Sequence, residues 1–151
     1  MQRTKGKVFE RRIAALLRQA IPAIAAHTHR SIQSRGPEAS DVIAPGLWIE
    51  CQDARAPTPE AKLLQAERDA DAAQSPALRV AVTHLIRARS IEVTMRVPTM
   101  LALLAPAFQG PSDLFNMFMV TVDIDTFVAL YAQSEVLEIA LAEALAGEVK
   151  L

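Results

Sequence analysis

Asp41-Val-Ile-Ala-Pro-Gly-Leu-Trp-Ile-Glu50-Cys-Gln52 is the stretch on which the fold turns. Two apolar runs flank Pro45-Gly46, a pair with strong turn chemistry, so the segment reads as two short strands joined by a tight turn. Side chains alternate along a strand, which puts Trp48, Glu50 and Gln52 on one face and Leu47, Ile49 and Cys51 on the other. The second set is ordinary core material. The first is not, because a buried, unpaired carboxylate costs several kcal/mol or gives up its charge. A divalent cation shared by Asp41 and Glu50 from adjacent strands is one arrangement that makes the position tolerable.

At 151 residues, 51% of them apolar, the chain suits one domain with a sizeable core. No apolar run has the length of a membrane span, and no apolar segment of signal-peptide type follows the basic start. A single cysteine, Cys51, makes no internal disulfide. The expectation is a cytoplasmic protein without membrane contact. Net charge is −1, yet the charge is polarised. Arg3, Lys5, Lys7, Arg11, Arg12, Arg18, Arg30 and Arg35 face a single acid, Glu10, in the first 35 residues. From residue 90 onward Arg96 and Lys150 are the only Lys or Arg against eight acids. A basic N-terminal third can dock a phosphate backbone, although segregated, solvated helix faces would give the same pattern.

Upstream of the hairpin, Phe9, Ile13, Leu16, Leu17, Ala20 and Ile24 recur at helical steps, predicting a helix from Lys5 to about Ala20, ended by Pro22. Glu10 lies close to its apolar stripe. It either pairs with Arg11 or Arg12 or reaches over the sheet to the metal site. Residues 27–32 read as a short strand carrying His27 and His29 on one face, and 33–40 as a loop turning at Gly36-Pro37. Downstream, Thr58-Pro59 starts a helix running to about Ala73 with a thin apolar face of Ala61, Leu64 and Ala72, Leu63 lying near it. Leu78–His84 and Ile91–Met95 are strands, and Pro98 opens a helix through Leu104, stopped by Pro106. After a loop over 108–116, Met117–Asp123 is a strand. Asp125 is positioned to cap one long helix to about Ala146, apolar around most of its surface.

Helices interspersed among strands predict an α/β fold with a mixed central sheet flanked by helices, plus an extra C-terminal strand and long helix. The boundary falls near residue 106. Residues 1–106 form the core, and 107–151 an extension that covers the sheet or makes a homodimer contact.

Gly6-x-x-x-Glu10, Gln33-Ser34-Arg35-Gly36, Asp41, Trp48-Ile49-Glu50-Cys51-Gln52, Gln65-Ala66 with Asp69-Ala70, and Val93-Thr94-Met95-Arg96 follow one another in this order. The series resembles small phage-encoded proteins of the PD-(D/E)xK nuclease superfamily, of the Holliday-junction-resolvase-like type, over about residues 5–104. The resemblance implies a restriction-endonuclease-like core and Mg²⁺ or Mn²⁺ held by Glu10, Asp41 and Glu50. It puts Gln52 at the position of the family's water-positioning lysine. Glutamine orients water through its amide but carries no charge, and some members of the superfamily work with it. Lys62 and Arg55 are nearby cations able to stand in. Lys5, Lys7, Arg11, Arg30, Gln33 and Arg35 would contact the nucleic acid.

Three readings follow from these residues. One is a metal-dependent endonuclease acting on branched, Holliday-junction-like DNA, with Glu10, Asp41, Glu50 and Gln52 as its catalytic set. Another is a nuclease-fold protein of weakened or no activity that binds DNA or serves as a structural phage component. The third is a globular domain in which the same acids merely pair with arginines.

Overall fold

The computed structural model describes residues 2–31, 39–104 and 116–148, with side chains from Lys5 onward in the first segment. Helix α1 (Gln2–Ala20) leads into a 3₁₀ helix (Pro22–His27) and a two-residue strand β1 (His29–Arg30). Strands β2 (Val42–Ala44) and β3 (Leu47–Ala54) form the expected hairpin. Helix α2 (Pro59–Ala72) then crosses to β4 (Leu78–Leu85), followed by β5 (Ser90–Arg96) and helix α3 (Val97–Leu104). Strand β6 (Met119–Asp123) and helices α4 (Ile124–Ala132) and α5 (Glu135–Glu148) complete the described chain.

The six strands lie in sequence order, β1 to β6, and every neighbouring pair is antiparallel except β3 and β4. That parallel pair is the one joined through a helix, as a parallel connection requires. The sheet is therefore mixed and lies between helices, the α/β architecture expected from the order of elements. No described helix is long and apolar enough to cross a membrane.

Alternation along β3 sorts the two faces as the hairpin pattern predicts. Leu47 and Ile49 are buried in one core with Phe9, Ile13 and Leu17 of α1, Val80 and Val82 of β4, and Phe127, Tyr131 and Leu137 of α4 and α5, and Cys51 packs against it. On the other face Trp48 packs with Ala66 and Ala70 of α2. β6 extends the sheet at β5, and its helices share the core of α1. Gly46 turns the hairpin at φ +70 and sits under α5, where an added Cβ would lie 3.1 Å from Val136 Cγ1 and 3.2 Å from the Ala140 methyl. The small residue thus serves both the turn and the close helix approach.

Four local expectations are corrected. Helix α2 buries Leu63, Ala66 and Ala70, leaving Leu64 48% exposed and Ala61 and Ala72 at the surface. The helix packs Ala66 and Ala70 against Trp48, and that rotation brings Lys62 over Glu50. His27 ends the 3₁₀ helix while His29 opens β1, so the two do not share a strand face. The C-terminal helix is capped by Asp123, whose carboxylate accepts from Thr126 N–H at 2.9 Å and from its hydroxyl at 2.7 Å, and not by Asp125. It is also two helices. Ser134 donates its hydroxyl to Tyr131 O at 2.8 Å and accepts from Leu137 N–H at 3.3 Å, closing one helix and starting the next. The loop over 33–38, Pro106 and the loop up to residue 115 lie outside the described residues.

Candidate functional site

Asp41 is held by its backbone before its side chain does anything. Its N–H donates to Ile49 O at 3.0 Å, and its carbonyl accepts from Ser31 N–H at 3.0 Å, so the residue is clamped between β3 and the end of β1. From there one carboxylate oxygen, Oδ2, accepts from Cys51 N–H at 2.8 Å. Glu50, in the middle of β3, projects toward α2 and is only 3% exposed. Two acids nine residues apart in sequence therefore meet because the Pro45-Gly46 turn folds one strand back on the other.

The third member comes from α2. Lys62 Nζ lies 2.9 Å from Glu50 Oε2 and 3.5 Å from Asp41 Oδ2. Gln65, one turn along, donates its amide to the same Glu50 oxygen at 3.2 Å and to Asp69 Oδ2 at 3.3 Å, and its own oxygen accepts from Lys62 at 3.2 Å. Lys62, Gln65 and Asp69 recur at three- and four-residue steps, so they form one stripe on the helix. The bidentate bond of Arg96 to Glu67, at 2.7 and 3.0 Å, ties α2 to the end of β5 and holds that stripe over the sheet.

Two carboxylates lie beside one ammonium here, and their burial and mutual repulsion are visible in the proton affinities. Burial, then the charge of Asp41, raises Glu50 to about 7 even though Lys62 pulls the other way. Burial lowers the affinity of Lys62 for its proton, but its bonds to Glu50 and the charges of both acids outweigh this and the net movement is upward. Burial, with the charges of Asp41, Glu10 and Glu50 behind it, pushes the Cys51 thiol well up, so it is a protonated packing group rather than a nucleophile.

The remaining candidate residues are distributed as follows. Glu10 Oε2 accepts from Arg30 Nε, joining α1 to β1; its ion-pair partner is Arg30 rather than Arg11 or Arg12. Its charge reaches Cys51 from the α1 side of the sheet. The Gln52 amide is engaged at the start of α2, where its oxygen accepts from Thr58 N–H at 2.8 Å and its nitrogen reaches Thr58 Oγ1 at 3.4 Å. Thr58, the expected N-cap, makes no capping bond with its own side chain. Arg55 is exposed beyond β3, as are Lys5, Lys7 and Arg11 on α1. Gln33 and Arg35 lie outside the described residues.

Asp41 and Glu50 are thus brought together, Glu10 is paired elsewhere, and Lys62 takes the cationic place beside the acids. Sequence reasoning named Lys62 only as a stand-in and gave Gln65 and Asp69 no role. Their common helical stripe was the available signal. No group of three or more His, Cys, Asp or Glu side chains arranged for a metal occurs among the described residues. The donor set, two carboxylates brought together from neighbouring segments of the sheet, is of the hard-oxygen kind that suits a divalent cation. The sequence matches no protein-family model and no curated protein.

Proposed function

We propose that the protein is a metal-dependent endonuclease that hydrolyses phosphodiester bonds in branched, Holliday-junction-like DNA at the Asp41–Glu50–Lys62 cluster. The observation that carries this reading is the pair of buried acids, Asp41 just before β2 and Glu50 within β3, beside one helix-borne lysine. Asp41 and Glu50 would hold Mg²⁺ or Mn²⁺, while Glu10 stays with Arg30 on the α1 side of the sheet. Bound there, the ion supplies positive charge to the phosphoryl oxygens and an acidified water. Lys62 does the work the resemblance would give to position 52: its ammonium donates to the attacking water or to a non-bridging oxygen and offsets developing charge. Gln65 keeps Glu50 oriented. Gln52 acts at one remove, by fixing the first turn of the helix that delivers Lys62. The exposed cations Lys5, Lys7 and Arg11 of α1, with Arg30 at the sheet edge and Gln33 and Arg35 in the sequence before Asp41, would contact DNA phosphates. Exposed Ile139 and Leu145 of α5 would face a second copy, which supplies the second cut of a junction.

One observation favours a second reading. Lys62 already bonds Glu50 and lies beside Asp41, so the cluster is held together without an ion, as suits a nuclease-fold protein retained for DNA binding or as a structural component. Incubation of the full chain with a synthetic four-way junction and with linear duplex, in Mn²⁺ and in EDTA, separates the two. Metal-dependent cutting of the junction, lost in Glu50→Ala, supports the nuclease. Salt-sensitive binding without cutting supports the alternative, and neither cutting nor binding removes both. Sedimentation equilibrium measures the mass; a monomer at the concentration that cuts would remove the dimer.

A further inference from the structure

On the face of the sheet opposite Glu50, the C-terminal ends of the parallel strands β3 and β4 make Asp53 and His84 direct cross-strand partners. His84 Nδ1 lies 2.9 Å from Asp53 Oδ1. An ionised carboxylate only accepts, so the shared proton sits on Nδ1 and Nε2 becomes the nitrogen able to meet a ligand. Phe9 of α1 stacks on the imidazole, with ring centroids 5.5 Å apart and planes 20° apart, and this holds its orientation from the core side. The dyad, Lys5, Val8 and Ile86 line a cavity of about 370 Å³. Both dyad side chains are less than one-fifth exposed, whereas Val8 and Ile86 are 59% and 42% exposed. An oriented imidazole, a primary ammonium and two apolar walls thus surround one opening.

A cation is poorly served here, because one imidazole nitrogen and one carboxylate already bonded to that imidazole are a sparse ligand set and the Lys5 ammonium repels it. An anion suits the cavity. We infer that the cavity is a phosphate subsite: His84, oriented by Asp53, and Lys5 take the phosphate, while Val8 and Ile86 flank the sugar or base attached to it. The ring bonds Asp53 through Nδ1 and meets the phosphate through Nε2, and the Lys5 ammonium donates to a phosphate oxygen. That the phosphate belongs to a DNA strand, lying away from the bond to be cut, rests on the nuclease reading. The phosphate chemistry itself does not.

The test follows the ring resonances of the three histidines in the full chain by NMR, with His84→Gln to assign the signal. One arm adds inorganic phosphate and the other adds a four-way junction in EDTA. A saturable shift of the His84 signal in millimolar phosphate, absent with chloride, is expected, and Lys5→Ala should weaken it about tenfold, the worth of one charge-assisted hydrogen bond. Lys5 is exposed, so this variant keeps its fold even if His84→Gln does not. In the DNA arm Lys5→Ala should lower affinity to a similar degree and reduce the salt dependence by about one counterion. No saturable shift with phosphate overturns the subsite. A phosphate response with unchanged DNA affinity overturns the DNA source and assigns the cavity to a free phosphate compound. Neither arm needs cleavage, so failure of the nuclease reading shows separately in the cutting assay.

Discussion

Replacing Glu50 by glutamine should stabilise the protein above neutral pH while removing whatever hydrolysis it performs. The magnitude comes from the environment of the carboxyl. Its affinity for a proton rises from the ordinary value of 4.5 to about 7, chiefly because it is buried and secondly because Asp41 is beside it. At about 1.4 kcal/mol for each factor of ten, the native state binds that proton more tightly than the unfolded chain by about 3 kcal/mol. A group whose folded value is raised contributes fully below its unfolded value and loses the contribution as pH climbs through the folded one. The loss is therefore about 1 kcal/mol at about pH 5 and reaches about 3 kcal/mol at about pH 8.5. Glutamine mimics the protonated carboxyl and titrates nowhere, so it escapes the loss, and Lys62 keeps Asp41 as a counterion at 3.5 Å. In urea unfolding followed by the fluorescence of the buried Trp48, the variant should exceed the wild type by about 3 kcal/mol at the higher pH and by about 1 kcal/mol at the lower. For a chain of this size the melting temperature should differ by about 6–12 °C at the higher pH. Added Mn²⁺ should narrow the gap by stabilising the wild type alone. A variant less stable than the wild type at about pH 8.5, or a difference that does not change with pH, would refute the picture of an under-compensated buried anion.

Lys62→Met leaves the two acids without their ammonium; about 3–5 kcal/mol should be lost at about pH 8.5 and less at about pH 5, where Glu50 takes up a proton. The same variant should cut about 10²–10³-fold more slowly in the junction assay. Gln52→Ala removes the acceptor for Thr58 N–H and should cost about 1 kcal/mol in urea unfolding with little change in cutting. A hundredfold slower rate in that variant would return Gln52 to the chemistry. Gly46→Ala must hold a left-handed backbone beneath α5 and should cost at least about 1–2 kcal/mol by the same measurement.

What the chain determines locally was legible. Alternation from Leu47 to Gln52, turn chemistry at Pro45-Gly46 and the apolar period of α1 place the hairpin, its faces and the first helix, because each depends on neighbours within a few residues. Asp41 and Glu50 followed from the same local pattern, since a tight turn leaves few ways to pair two short strands. Partner choice among charges was not legible. Glu10 meets Arg30, Gln52 meets Thr58, and Lys62 meets Glu50 only after the sheet register and the rotation of α2 have been set by packing. The break at Ser134 is of the same kind: an apolar run reads as one helix until Phe127, Tyr131 and Leu137 must all enter one core. An alternating strand carries its own instructions, whereas an ion pair belongs to whichever groups the fold leaves together away from water.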